Sequence, residues 1–98
     1  MGELRFSWDP AKASANLRKH GVSFEEATSA FADERALLID DPVHSQHEER
    51  FVLMGLSDRL RVLVVIHAVR DAGHVLRLIS ARTATRREQR QYLEQHLP

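Results

Sequence analysis

Cysteine is absent, which excludes a disulfide framework and a thiolate metal site and fits an intracellular setting. Long apolar runs are absent too. The opening Met1-Gly2-Glu3-Leu4-Arg5 is too polar for a signal peptide, and no stretch approaches the length that spans a bilayer, so a cytoplasmic protein without membrane contact is expected. Lysine is scarce, two residues against twelve arginines. That bias favours forked recognition of phosphate or carboxylate, although the base composition of a genome produces the same bias. Net charge is missing as well, since 14 basic residues balance 14 acidic ones. There is no internal repeat, low-complexity segment or linker. A chain of 98 residues, 43% hydrophobic and 29% charged, suits a single domain over residues 1–98 with a limited core.

The charge balance is uneven along the chain. Residues 1–49 hold ten acidic and five basic side chains, whereas residues 50–98 hold four acidic and nine basic ones. This asymmetry reads either as one half of the fold pairing with the other or as a basic surface for nucleic acid or an acidic partner.

Local patterns predict an α+β order. Leu4 to Trp8 alternates as a short strand. Asp9-Pro10 opens a helix that Gly21 stops after Lys19-His20. Ser23-Phe24-Glu25-Glu26 forms a capping-box pattern with a Val22/Ala27 staple, starting a second helix to about Ala32, so the two helices are expected as a hairpin with Phe24 and Phe31 in the core. A short strand from Ala36 to Ile39 and a polar loop through Glu49 follow. Three further strands, Arg50 to Leu56, Arg61 to Val69 and His74 to Ala81, are separated by short turns and read as an antiparallel meander. Val62 to Ile66 is apolar without alternation, which marks a central strand covered on both faces. Thr85 and Glu88 cap a last helix to about Gln95, anchored mainly by Tyr92 and Leu93.

Arg82, Arg86 and Arg87 surround the junction between the last strand and this helix. A helix start already carries partial positive charge, so arginines in its first turn oppose the local field. An anion is the natural compensation.

Four ordered segments carry a resemblance: Phe6-Ser7-Trp8-Asp9-Pro10-Ala11-Lys12, Asn16-Leu17-Arg18-Lys19-His20-Gly21-Val22-Ser23-Phe24, Arg77-Leu78-Ile79-Ser80-Ala81-Arg82, and Thr85-Arg86-Arg87-Glu88 with Tyr92. Together they resemble the BrnT family of type II toxins over nearly the whole chain. The resemblance implies a small RelE-like domain, an antiparallel sheet with the N-terminal helical hairpin and C-terminal helix. It further implies a metal-independent, cofactor-free endoribonuclease that inhibits translation and growth by attacking cellular RNA. The partners it implies are RNA as substrate and a BrnA-like antitoxin that neutralises the toxin in a hetero-oligomer, with operator DNA reached only through that complex. Members of the family often carry Gly-Arg in the turn before the central strand. This chain has Leu60-Arg61, so that turn is where its shape is expected to differ.

Metal-free RNA cleavage uses the 2′-hydroxyl as nucleophile and needs a proton acceptor and cations around the phosphate. Arg82 and Arg86 are candidate catalytic cations, with Arg87 as an RNA contact; pairing with Glu48 or Glu49 is their structural alternative. His67, following the central apolar run, is a candidate acid or base, or else a satisfied core histidine. His20 is a second proton-transfer candidate and Lys19 an RNA contact, though C-capping of the first helix accounts for both. Arg61 and Arg77 would extend a cationic surface across the sheet, or serve as solvated strand residues. His44 and His47 beside Glu48 and Glu49 do not make a convincing metal site. Trp8 is read as pinning the first helix to the sheet rather than stacking on a base. The rival to the enzyme is a non-catalytic interaction module whose arginine patch binds an acidic segment of a partner protein.

Overall fold

The computed structural model describes residues 4–41 and 48–95, so His44 and His47 lie outside the described residues. The elements are β1 (Arg5–Ser7), α1 (Pro10–His20), α2 (Phe24–Ala30), β2 (Leu37–Asp40), β3 (Arg50–Leu56), β4 (Val62–Arg70), β5 (Val75–Thr83) and α3 (Arg86–Glu94), with a 3-10 turn at Asp71–Gly73. All five strands form one sheet in the order β1-β5-β4-β3-β2.

The sheet departs from the antiparallel expectation at one edge. β3, β4, β5 and β2 pair antiparallel, but β1 runs parallel to β5, with Arg5, Phe6 and Ser7 opposite Val75, Leu76 and Arg77. The sheet is therefore mixed. The first strand cannot reach β5 as a hairpin partner because the rest of the fold intervenes, and helices supply the crossover that parallel strands require.

Helix boundaries follow their caps. Asp9 accepts the Ala11 N–H (2.8 Å), Pro10 fills the first turn, and Gly21 ends α1 in the left-handed region at φ 69°. Ser23 accepts the Glu26 N–H (3.0 Å) to start α2. α1 packs mainly on β5, and α2 on β3, β4 and β5. Each helix thus rests on the sheet more than on its neighbour, and the expected hairpin is two helices docked on one face. Gly55 lets α2 come close: a Cβ there would lie 2.7 Å from the Ala30 carbonyl oxygen.

The main core lies between this helical pair and the sheet, built from Val22, Phe24, Ala27, Ala30, Leu53, Leu63, Val65, Leu78 and Ala81. Trp8, expected to pin the first helix to the sheet, packs edge-on against Phe24 of α2 at 5.8 Å. A smaller cluster on the other face joins Met54, Val64 and Ala84 to Tyr92 of α3. β4 is thus covered on both sides, with Leu63 and Val65 toward one layer and Val64 toward the other. The apolar contribution of α3 to that second cluster is Tyr92, since Leu93 is 62% exposed. Polar bonds add to its anchoring: Tyr92 donates its hydroxyl to Asp33, and the Gln95 side chain donates to the Arg35 carbonyl at 3.0 Å. Burial and the Asp33 carboxylate hold the Tyr92 phenol protonated, its pKa pushed up to about 12.

The β3–β4 turn keeps its hydrogen bonds despite the departure at Leu60. Ser57 N–H donates to the Arg61 carbonyl (2.8 Å) and Leu60 N–H to the Ser57 carbonyl (2.9 Å). Leu60 itself takes φ 61°, a conformation that favours glycine, while its side chain is 80% exposed.

Candidate functional site

Strict alternation would send Arg77 and Arg82, five residues apart, to opposite faces of β5. A bulge prevents this. Ile66 of β4 lies opposite Ser80 and the next residue, His67, opposite Leu78, so Ile79 is the extra residue. Arg77 then pairs with Ala68 and Arg82 with Val64, two positions on one face of β4. Both arginines therefore share the face that carries α3.

The end of α1, which belongs to the other layer, meets β5 at its edge along the same stretch. β1 pairs with β5 only as far as Arg77, leaving the following stretch of β5 without a strand on that edge. There Lys12, Lys19 and His20 of α1 line a cleft of about 230 Å³ with Ile79 and Ser80. Arg82 follows Ser80 by two residues, on the same face. Imidazole and ammonium groups thus meet the open edge of β5, with the Arg82 guanidinium two residues past the cleft on the α3 face. A hollow of about 400 Å³ at Ser23, Glu25, Glu26, Asp58 and Arg59 is roomier, but its three carboxylates disfavour a polyanion.

Arg82 is already engaged. Its Nη1 and Nη2 donate to Glu88 Oε1 and Oε2 at 2.7 and 3.0 Å. Glu88 simultaneously accepts the Thr85 N–H at 2.8 Å and Thr85 accepts the Glu88 N–H, closing the capping box. The Arg82 fork, together with these cap bonds, holds the Glu88 carboxyl down at about 2. The expected acidic partners Glu48 and Glu49 are not used by Arg82. Glu48 instead joins Arg50 (2.8 Å) and Arg70 (2.6 Å). Arg86 and Arg87 project from the first turn of α3 and are exposed.

Two expected site residues are placed elsewhere. His67 is 2% exposed, set edge-on to Phe31 at 4.9 Å and stacked over Phe51 at 6.1 Å. Burial lowers its pKa, offset in part by the Val65 carbonyl, so a neutral core imidazole accounts for it. Arg61 points to the α2 side, where its Nε donates to Glu26 at 3.0 Å, one Nη also pairs with that carboxylate, and the same Nη donates to the Gly21 carbonyl at 3.2 Å. Ser57 adds its hydroxyl to Glu26 at 2.8 Å. Glu26 is 5% exposed and its pKa is lowered chiefly by the Arg61 bond, so Arg61 neutralises a buried carboxylate.

Sequence reasoning missed Asn16. Its signal was present, four residues before His20 in the same quoted segment, but an asparagine bordering a weak helical stripe gave no hint of a partner 65 residues away. Its side chain is bonded to both backbone groups of Ala81. The fold also redraws the charge asymmetry: α1, although in the acidic half of the chain, brings Lys12, Lys19 and His20 to β5, whereas Asp40 and Asp41 lie on the β2 side, where Glu48 is offset by Arg50 and Arg70.

Among the described residues, no helix is long and apolar enough to cross a membrane. No curated protein sequence matches the chain. The crystal structure of the Brucella abortus ribonuclease toxin BrnT matches its fold with a TM-score of 0.64 at 22% identity, covering 85% of this chain and 99% of that one. The family model described as the ribonuclease toxin BrnT of type II toxin-antitoxin systems matches residues 8–88. Spanning the α1 and β5 segments that build the cleft, that match places the chain in the BrnT family of ribonuclease toxins.

Proposed function

We propose that the chain is an endoribonuclease toxin that cleaves RNA without a metal or other cofactor, using the 2′-hydroxyl as nucleophile. The observation that carries this reading is the cleft at the open edge of β5, where His20 and Lys19 lie against Ser80, two residues before Arg82. His20 removes the 2′-hydroxyl proton. The attacking oxygen bonds to phosphorus, the bond to the 5′-oxygen breaks, and a 2′,3′-cyclic phosphate remains as solvent protonates the leaving oxygen. Arg82 stabilises the crowded phosphate, assisted by Arg86, while Lys19, Arg77 and Arg87 hold the flanking RNA. This reading gives no role to His67 and Arg61, since one is sealed in the core and the other is paired with Glu26.

In the same reading the fold is RelE-like, the protein acts in the cytoplasm against translation, and a BrnA-like antitoxin neutralises it in a hetero-oligomer that represses its own operon. The Arg82–Glu88 fork favours one alternative, a non-catalytic module that receives a partner's carboxylates, since the guanidinium already holds one. Cleavage separates the two. Protein freed of antitoxin should degrade RNA in EDTA, and Arg82→Ala and His20→Ala should each slow it by roughly 10² to 10⁴ while remaining folded, the Arg82 variant melting lower because it also loses the Glu88 pair. Undiminished cleavage in both variants would refute the assignment, and no cleavage by the parent protein together with no growth arrest would favour the binding module.

A further inference from the structure

We infer that Asn16 is the positioning residue of this site, holding the His20 end of α1 against the Arg82 segment of β5 by standing in for a missing strand. The inference rests on the reading of His20 and Arg82 as site residues.

Asn16 is 7% exposed. Its Nδ2 donates to the Ala81 carbonyl (2.8 Å) and to the Val22 carbonyl (2.9 Å), and its Oδ1 accepts the Ala81 N–H (3.0 Å). Those contacts fix the orientation of the amide, since two carbonyls meet the nitrogen and one N–H meets the oxygen. A side-chain amide has the same donor and acceptor pair as a peptide unit. Asn16 therefore bonds Ala81 as a neighbouring strand would, at the point where β1 has ended and the edge would otherwise be open.

The placement matters as much as the bonds. Ala81 lies between Ser80 and Arg82, just past the bulge. His20 lies one helical turn beyond Asn16, on the same side of α1. Val22, the second partner residue, follows the left-handed Gly21 that ends the helix. One side chain thus ties together the strand segment bearing Arg82, the helix bearing Lys19 and His20, and the exit of that helix. Among the described residues, Asn16 supplies the side-chain hydrogen bonds that tie α1 to β5, so the register between the helix bearing His20 and the segment bearing Arg82 depends on it.

The test compares the full chain with Asn16→Ala, and with Asn16→Ser as the variant that retains a donor and an acceptor should the first not fold. Amide exchange of Ala81 should accelerate at least tenfold while the β4–β5 ladder stays protected. RNA cleavage should lose on the order of 10- to 100-fold in kcat, as a displacement near 1 Å does, with KM held within about twofold. A purely structural asparagine would loosen Ala81 without this split. Wild-type kcat in a folded Asn16 variant, with His20→Ala and Arg82→Ala inactive, overturns the inference alone. Wild-type cleavage by His20→Ala and Arg82→Ala overturns the site assignment and the inference with it.

Discussion

Replacing Glu88 by glutamine keeps the capping box, because a glutamine at the third helical position still reaches the Thr85 N–H, but it removes the charge that holds Arg82. The folded carboxyl titrates at about 2, well below its ordinary value of 4.5. A depression of that size corresponds to roughly 3 kcal/mol. Because the Arg82 side chain is 42% exposed, solvent screening reduces the expected contribution to about 1–2 kcal/mol. Its sign follows from linkage: the depressed carboxyl stabilises the fold fully above its unfolded value and loses that contribution as pH falls toward 2. Urea unfolding of wild type and Glu88→Gln should therefore differ by about 1–2 kcal/mol at pH 7, and the two curves should converge between about pH 4.5 and 2. A difference that persists undiminished at pH 2 would mean that the stabilisation is not ionic, and the reasoning fails. The same variant leaves the Arg82 fork free of its internal carboxylate, so filter binding should detect tighter association with RNA at low salt. Unchanged or weaker binding would show that Glu88 does not compete with phosphate.

Leu60→Gly should raise stability by about 0.5–1 kcal/mol, because a left-handed leucine is strained and its exposed side chain forfeits little burial; a thermal melt showing a lower Tm contradicts this. Arg61→Ala should cost about 2–4 kcal/mol in chemical denaturation by stranding Glu26, and adding Glu26→Gln should recover part of the loss, whereas strictly additive losses would deny the coupling. His67→Leu should preserve the fold within about 1.5 kcal/mol and leave RNA cleavage near the parent rate; loss of cleavage in a folded protein would return His67 to the reaction.

The three capped helices were legible because Asp9, Ser23 and Thr85 act within four residues of chain, and the β3 run from Arg50 to Leu56 because its apolar pattern and flanking turns are local. The parallel seat of β1 was not legible: three residues paired with a strand 70 positions later leave no mark in their own neighbourhood. The site divides in the same way. Arg82 and its setting at the head of α3 could be read from the clash with the helix dipole, and Glu88 from the capping pattern, but not that one would grip the other. His67 was ambiguous until Phe31 and Phe51 closed around it, and Arg61 until the fold brought Glu26 beneath it. What escaped depended on contacts across the sheet: the bulge at Ile79 and the Asn16 bracket.

The sheet order has one more consequence. With α1 bringing Lys12, Lys19 and His20 to the edge of β5 and Asp40 and Asp41 on the β2 side, where Arg50 and Arg70 offset Glu48, a chain of zero formal charge has an uneven charge distribution. A distant polyanion exerts little net pull on such a particle but does exert a torque. Any strand of RNA that drifts near would turn the protein before drawing it in, presenting the open edge of β5 first and the β2 side last. Salt would weaken this alignment over a Debye length of about 8 Å at physiological ionic strength, so the orienting effect belongs to the final approach rather than to long-range capture.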